Sequence, residues 1–183
     1  MPQYFDAEES DVFLLSGAED LVPELDNNQQ RIKIPRQLNG ENFTVFRYRP
    51  RIEGLFARIE RWTNDATGET HWRSITKDNL TTLYGKTENA RIFDPEDKLH
   101  VFTWLICESY DDKGNAILYE YKAEDTSAEV LNQVNEKNRT DKSRSANRYL
   151  KHIKYCNQTP RTTNEDLTQR TDWLLEVAIL RRG

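Results

Sequence analysis

The sequence predicts a mainly β fold, an antiparallel meander of short strands and hairpins joined by long polar loops. Short apolar runs recur with a period of two, as in residues 43–49 and 117–121. Turn chemistry separates them, as at Asn39-Gly40, Asn64-Asp65-Ala66-Thr67-Gly68 and Asp111-Asp112-Lys113-Gly114-Asn115. A hydrophobic fraction of 36% and a mean hydropathy of −0.89 are low for a compact globule, yet 10% aromatic residues argue against disorder, so strands carrying polar loops reconcile the two.

In chain order, Asp11-Val12-Phe13-Leu14-Leu15 predicts a short strand closed by Ser16-Gly17. Residues 21–25 predict a second strand, which Pro23 pushes to an edge or a bulge. Arg31-Ile32-Lys33-Ile34 alternates up to Pro35, and the turn at Asn39-Gly40-Glu41-Asn42 leads into a strand over 43–49. Strands over 54–62, 70–76 and 80–84 follow, each set off by turn residues, and a short one over 90–93 precedes the break at Asp94-Pro95-Glu96-Asp97. Residues 101–122 are the densest strand-forming run. They read as a hairpin whose first arm is apolar on both faces, with Phe102, Trp104 and Ile106 on one parity and Val101, Leu105 and Cys107 on the other, which predicts a central strand. Residues 123–147 turn polar and predict a surface excursion, with Val130, Leu131 and Val134 as the apolar side of a short helix. Strand alternation returns over 149–156, a polar loop fills 157–169, and residues 173–180 form a last apolar strand.

Net charge of −5 offers no overall attraction to nucleic acid or to an anionic membrane. No apolar run approaches the roughly 20 residues that span a bilayer, and residues 1–10 lack the basic start and apolar middle of a signal peptide. Cys107 and Cys156 both fall in predicted strands, where a thiol packs as a small hydrophobe, and this favours free cysteines. Among His71, His100 and His152 no pair has zinc-site spacing. His152 and Cys156, four apart on a strand, sit roughly 13 Å from each other. The chain has no nucleophile elbow, phosphate loop or dinucleotide turn, and no catalytic carboxylate pair stands out among 31 acidic residues. Neither a catalytic residue nor a cofactor or metal site is expected.

Two basic clusters remain. Arg47, Arg49, Arg51, Arg58 and Arg61 interleave with Phe46, Tyr48, Phe56 and Trp62, a mixture able to stack bases and hold phosphates, and Arg47, Arg49, Arg58 and Trp62 are its candidate binding surface. The second runs through Lys137, Arg139, Lys142, Arg144, Arg148, Lys151 and Lys154. Glu53 and Glu60 in the first, and Glu136 and Asp141 in the second, supply compensating charge. Alternating Arg and aromatic residues are also what a half-buried strand with one solvated face produces, and this structural reading is the favoured one.

Five runs carry a resemblance: DVFLLSGAEDLVP (11–23), YRPRIEGLFARIERW (48–62), THWRSITKDNLTTLYGK (70–86), WLICESYDDKGNAILYEYKAE (104–124) and RSANRYLKHIKY (144–155). Collinear and spread over nearly the whole chain, they resemble the SpvB-type domain of the Tc insecticidal toxin B components and of the Salmonella virulence plasmid protein. The resemblance implies that residues 1–183 are a single, partial domain of this type from near the N-terminus of a longer protein. In Tc complexes the B component joins a C component in a hollow β-built shell around the toxic segment, and docks on the pore-forming A component. The implied partners are therefore the C and A components, through the parent protein, with no nucleic acid and no direct membrane insertion. Secretion with the complex after synthesis in the bacterial cytoplasm is implied as well.

In the Salmonella member the ADP-ribosylating chemistry belongs to a separate C-terminal domain with a Ser-Thr-Ser strand and a Glu-x-Glu turn. This sequence contains neither pattern, so the resemblance implies a domain that is not an enzyme. At its ends the chain departs from the family. The Gly-rich opening is missing, and Ala178-Ile179-Leu180-Arg181-Arg182-Gly183 stands where an aromatic-Asp-Tyr-Gly run is expected, which a truncated or frame-shifted reading frame would explain. Open strand edges then predict self-association. Two other readings stay open: an independent binding module for polysaccharide or nucleic acid, and part of an ADP-ribosylating toxin without its catalytic domain.

Overall fold

A computed structural model describes residues 12–15, 20–52, 54, 56–124 and 145–179. Its strands are β1 (Phe13–Leu14), β2 (Asp20–Pro23), β3 (Lys33–Leu38), β4 (Glu41–Pro50), β5 (Arg58–Asn64), β6 (Thr70–Ile75), β7 (Thr81–Tyr84), β8 (Arg91–Asp94), β9 (Asp97–Trp104), β10 (Ile106–Tyr110), β11 (Ala116–Ala123), β12 (Arg148–Asn157) and β13 (Trp173–Ala178). Eleven form one antiparallel sheet in the order β1-β2-β4-β5-β6-β7-β10-β11-β12-β13, with β3 beside β2 on the same edge of β4. β8 and β9 pair separately as a ribbon. Among the described residues no helix is long and apolar enough to cross a membrane.

The meander expected over residues 43–84 is present as β4 to β7, each paired with the next. Its turns follow from local side chains. Asn39 and Gly40, at φ of 51° and 84°, close the two-residue β3–β4 hairpin. Asn64 accepts the backbone N–H groups of Ala66 and Thr67 at 2.9 and 3.2 Å, turning the chain from β5 into β6. β3 runs on through Pro35 instead of stopping there. Among the described residues it pairs only with β4, and an edge strand tolerates a residue without an N–H. β5 begins later than expected, at Arg58, because Phe56 adopts a positive φ of 46° just before it.

The largest correction concerns residues 101–122. The hairpin exists, but its first arm is β10 alone, paired with β11 from Glu108↔Leu118 to Tyr110↔Ala116. Asp111 builds the loop, accepting the N–H groups of Lys113 and Asn115 at 3.0 and 2.9 Å. Val101 to Trp104 belong to β9 in the ribbon, not to a central strand. The run is apolar on both faces because its two halves serve different sheets, and Phe102 is left 74% exposed. The crossing point is held by hydrogen bonds from Gly85 N to Leu105 O (2.8 Å) and from Leu105 N to Ala90 O (2.7 Å).

Alternation along the strands gives the sheet two packed faces. On one, Leu21, Tyr48, Ile59 and Trp72 are buried with Phe13 and Trp104 against them. The rings of Phe13 and Tyr48 meet Trp72 edge-on at 4.9 and 5.0 Å. On the other, Phe43, Val45 and Trp62 pack with Ile34 and Leu38. The polar loop after β12 crosses this second face on one apolar anchor, Leu167, which is fully buried against Ala116 and Leu118. The polar excursion opens from the paired ends of β11 and β12 at Ala123↔Arg148, and the helix expected around Val130 to Val134 lies outside the described residues.

Candidate functional site

The four sequence-predicted binding residues share one face of the sheet. Register sets Arg47 opposite Glu60 and Val45 opposite Trp62, and Arg49 follows Arg47 on the same parity. Glu60, only 4% exposed, is the shared partner of Arg58, Arg73 and Trp62. It lies 3.1 Å from Arg58 Nε, accepts Arg73 Nε and Nη2 at 3.0 and 2.7 Å, and accepts Trp62 Nε1–H at 3.0 Å. Trp62 is buried rather than presented for stacking, with the Arg73 guanidinium 4.6 Å from its ring centre and His71 stacked at 5.8 Å. Arg61 points to the opposite face, over Phe13 and Phe46. Arg51 pairs with Asp20 at 3.5 Å.

In the second basic cluster, residues 137, 139, 142 and 144 lie outside the described residues. Arg148 donates to the carbonyls of Ser145 and Ala146, and Lys154 meets Glu120 at 2.9 Å. His152 sits between Glu120 and Glu176, at 3.2 and 3.6 Å. Both cysteines are free. Cys107 is buried, donates to Leu83 O and has its thiol pushed up to about 11 by burial, whereas Cys156 is exposed.

Sequence reasoning missed a cleft of about 290 Å³ between the β4–β7 face and the loop that follows β12. Trp62, His71 and Arg73 form its floor, Lys86 and Arg91 one wall, and Arg161 and Glu165 the side contributed by the loop. Three ion pairs surround it: Arg73 with Glu60 (2.7 Å), Lys86 with Glu108 (2.7 Å) and Arg91 with Glu69 (3.2 Å). Burial, reinforced by Lys86, Arg73 and Arg91, lowers His71 from 6.5 to about 3, so its imidazole is neutral at physiological pH. The available signal was the parity of Thr70-His71-Trp72-Arg73, which sets His71 and Arg73 on the Trp62 side. Nothing in the sequence showed that Arg161, some ninety residues away, would close over them.

The family described as the Salmonella virulence plasmid 65kDa B protein, SpvB, matches residues 1–179. The chain belongs to the SpvB family. It is 35% identical over 165 residues to the Mono(ADP-ribosyl)transferase SpvB of Salmonella typhimurium, a match covering 87% of this chain and 27% of that relative. The chain therefore spans about a quarter of its curated SpvB relatives, those of Salmonella enteritidis and Salmonella dublin included. In structure it is similar to the N-terminal domain of effector protein SpvB from Salmonella typhimurium strain LT2, with a TM-score of 0.81 and 32% identity over 93% of this chain and 55% of that one. The crystal structure of TcdB2-TccC3 gives a TM-score of 0.75 and 29% identity over 93% of this chain and 8% of that one. This open β-sheet is thus a toxin-related domain of the SpvB family, matched to the N-terminal domain of the Salmonella effector and to part of the TcdB2-TccC3 assembly.

Proposed function

We propose that this chain is a non-catalytic wall element of a toxin-complex B component, whose longer parent encloses a toxic effector and delivers it together with C and A components. Synthesis in the bacterial cytoplasm and release with the complex belong to the same reading. The likeness to TcdB2-TccC3 over 93% of the chain carries it. Surface chemistry adds support. Leu14 and Phe102 are 72% and 74% exposed beside a groove on one face of the sheet, and Leu174 is 61% exposed on the last strand. Apolar surface of this kind suits a wall that continues into neighbouring parts of a larger assembly. The likeness to the N-terminal domain of the Salmonella effector supports placing the transferase chemistry of that relative outside this segment.

The test exchanges the matching segment of the TcdB2-TccC3 protein for this chain and exposes the hybrid complex to protease. The toxic segment is expected to stay protected, as in the parent complex. A hybrid that assembles, as judged by electron microscopy, yet admits protease would overturn the enclosing role. NAD-dependent labelling of a target protein by the 183-residue chain would overturn the non-catalytic role.

A further inference from the structure

The cleft over Trp62 holds more hydrogen-bond donors than its own acids use. Its carboxylates are engaged: Glu69 with Arg91, Glu41 with Asn64 Nδ2 (3.3 Å), and Glu165 with Arg170 Nε (2.7 Å) and the Thr162 N–H (2.8 Å). Two guanidinium donors remain. Arg91, 4% exposed, gives one N–H to Glu69 while its Nε is buried with no acceptor, and the Nε of Arg161 is likewise buried and unpaired. Both guanidinium groups line the cleft, where an acceptor from outside the chain would complete their hydrogen bonding.

These donors are held in place before any ligand arrives. The backbone N–H of Arg161 is tied to Gly114 O at 2.8 Å, and its guanidinium lies 3.7 Å from the centre of the Tyr110 ring. Arg170 clamps the loop through Glu165 and the Thr159 carbonyl. The planar fork of a guanidinium matches the oxygens of a carboxylate or phosphate, and a preformed site loses little ordering entropy on binding. The cavity of about 290 Å³ is at the lower end of ligand pockets, roughly 300 Å³, which restricts the guest to a small molecule.

We propose that this cleft binds a small oxyanion, a phosphate or carboxylate group on a molecule no larger than a monosaccharide, between Arg91 and Arg161. Burial, with Lys86, Arg73 and Arg91 standing close, holds the His71 imidazole neutral, and a neutral imidazole keeps one N–H donor.

Thermal unfolding of the 183-residue chain tests this with inorganic phosphate, citrate, sodium chloride at matched ionic strength, and glucose. Phosphate or citrate, at about tenfold its dissociation constant, is expected to raise Tm by about 3–6 °C and to saturate. Which of the two acts at the lower concentration identifies the oxyanion. Arg161→Gln and Arg91→Gln are expected to abolish the shift, and Arg49→Gln, outside the cleft, to keep it. If Arg91→Gln fails to fold, Arg161→Gln decides; if both fail, saturable movement of the His71 imidazole resonances in the unaltered chain decides. An equal response to sodium chloride, a response to glucose, no response at all, or a shift that survives in the folded variants overturns the site.

Discussion

Glu60 and Arg73 face each other across β5 and β6, the guanidinium 2.7 Å from the carboxylate and lying over the Trp62 ring. Glu60 is 4% exposed and serves Arg58 and the Trp62 N–H as well, so its removal strands a cation over a buried indole. Glu60→Ala is expected to cost about 3 kcal/mol, the lower end for breaking a buried pair, because Arg73 keeps some contact with water. Urea unfolding measures it. Glu60→Gln, which keeps an acceptor for the indole N–H, is expected to cost less.

Gly85 turns the chain out of β7 at φ +65°, with its missing side chain directed at Trp104, so that an added Cβ would lie 2.9 Å from the indole Cγ. Gly85→Ala therefore meets both a left-handed backbone, costing about 1–2 kcal/mol, and an overpacked contact, costing about 1–3 kcal/mol more. A double-mutant cycle with Trp104→Ala separates the two. The overlap with the indole is expected to vanish in that background, leaving the contact with the residue-104 Cβ at 3.0 Å and the backbone part.

His71 makes stability depend on pH with a definite sign. Its folded pKa is lowered to about 3 against an ordinary 6.5, so between these values the unfolded chain binds a proton that the folded chain does not. Its contribution is complete above pH 6.5 and is lost as pH falls toward about 3, at up to about 1.4 kcal/mol per pH unit. Urea midpoints across this window are expected to fall more steeply for the native chain than for His71→Gln. Equal slopes would show that the imidazole is not held neutral.

The meander was legible because each of β4 to β7 carries its own alternation and its own turn residues. The same local signals misread residues 101–110, since β9 and β10 are contiguous in sequence and both rich in strand formers, and their division at Leu105 depends on hydrogen bonds to Ala90 and Gly85. The interleaving of Arg and aromatic residues around Trp62 was legible, but which of them share a carboxylate was not. Glu60 stood in the sequence as one compensating acid among several, whereas burial makes it the common partner of Arg58, Arg73 and Trp62. The cleft was invisible for a different reason. Its loop side comes from a polar stretch whose only folding cue is Leu167, and a single apolar residue among thirteen has no period to read.

The last strand carries the clearest consequence for the isolated chain. Among the described residues β13 pairs with β12 alone, so its outward edge presents backbone N–H and C=O groups that no described strand takes up. Its side chains do little to protect that edge, since Leu174, Leu175 and Val177 are 61%, 48% and 43% exposed and its one acid, Glu176, lies 3.6 Å from His152. Two copies meeting edge to edge would satisfy the backbone and cover these apolar groups together. Sedimentation velocity is expected to show a concentration-dependent species heavier than the 21.6 kDa monomer. Val177→Lys places a charge at the centre of such a contact, where two copies would bring like charges together, and is expected to return the monomer. Because Val177 is exposed, its own unfolding free energy should change by no more than about 0.5 kcal/mol, which separates loss of association from loss of fold. A native chain that sediments as a monomer at every concentration would show that β13 guards its edge by means other than its side chains.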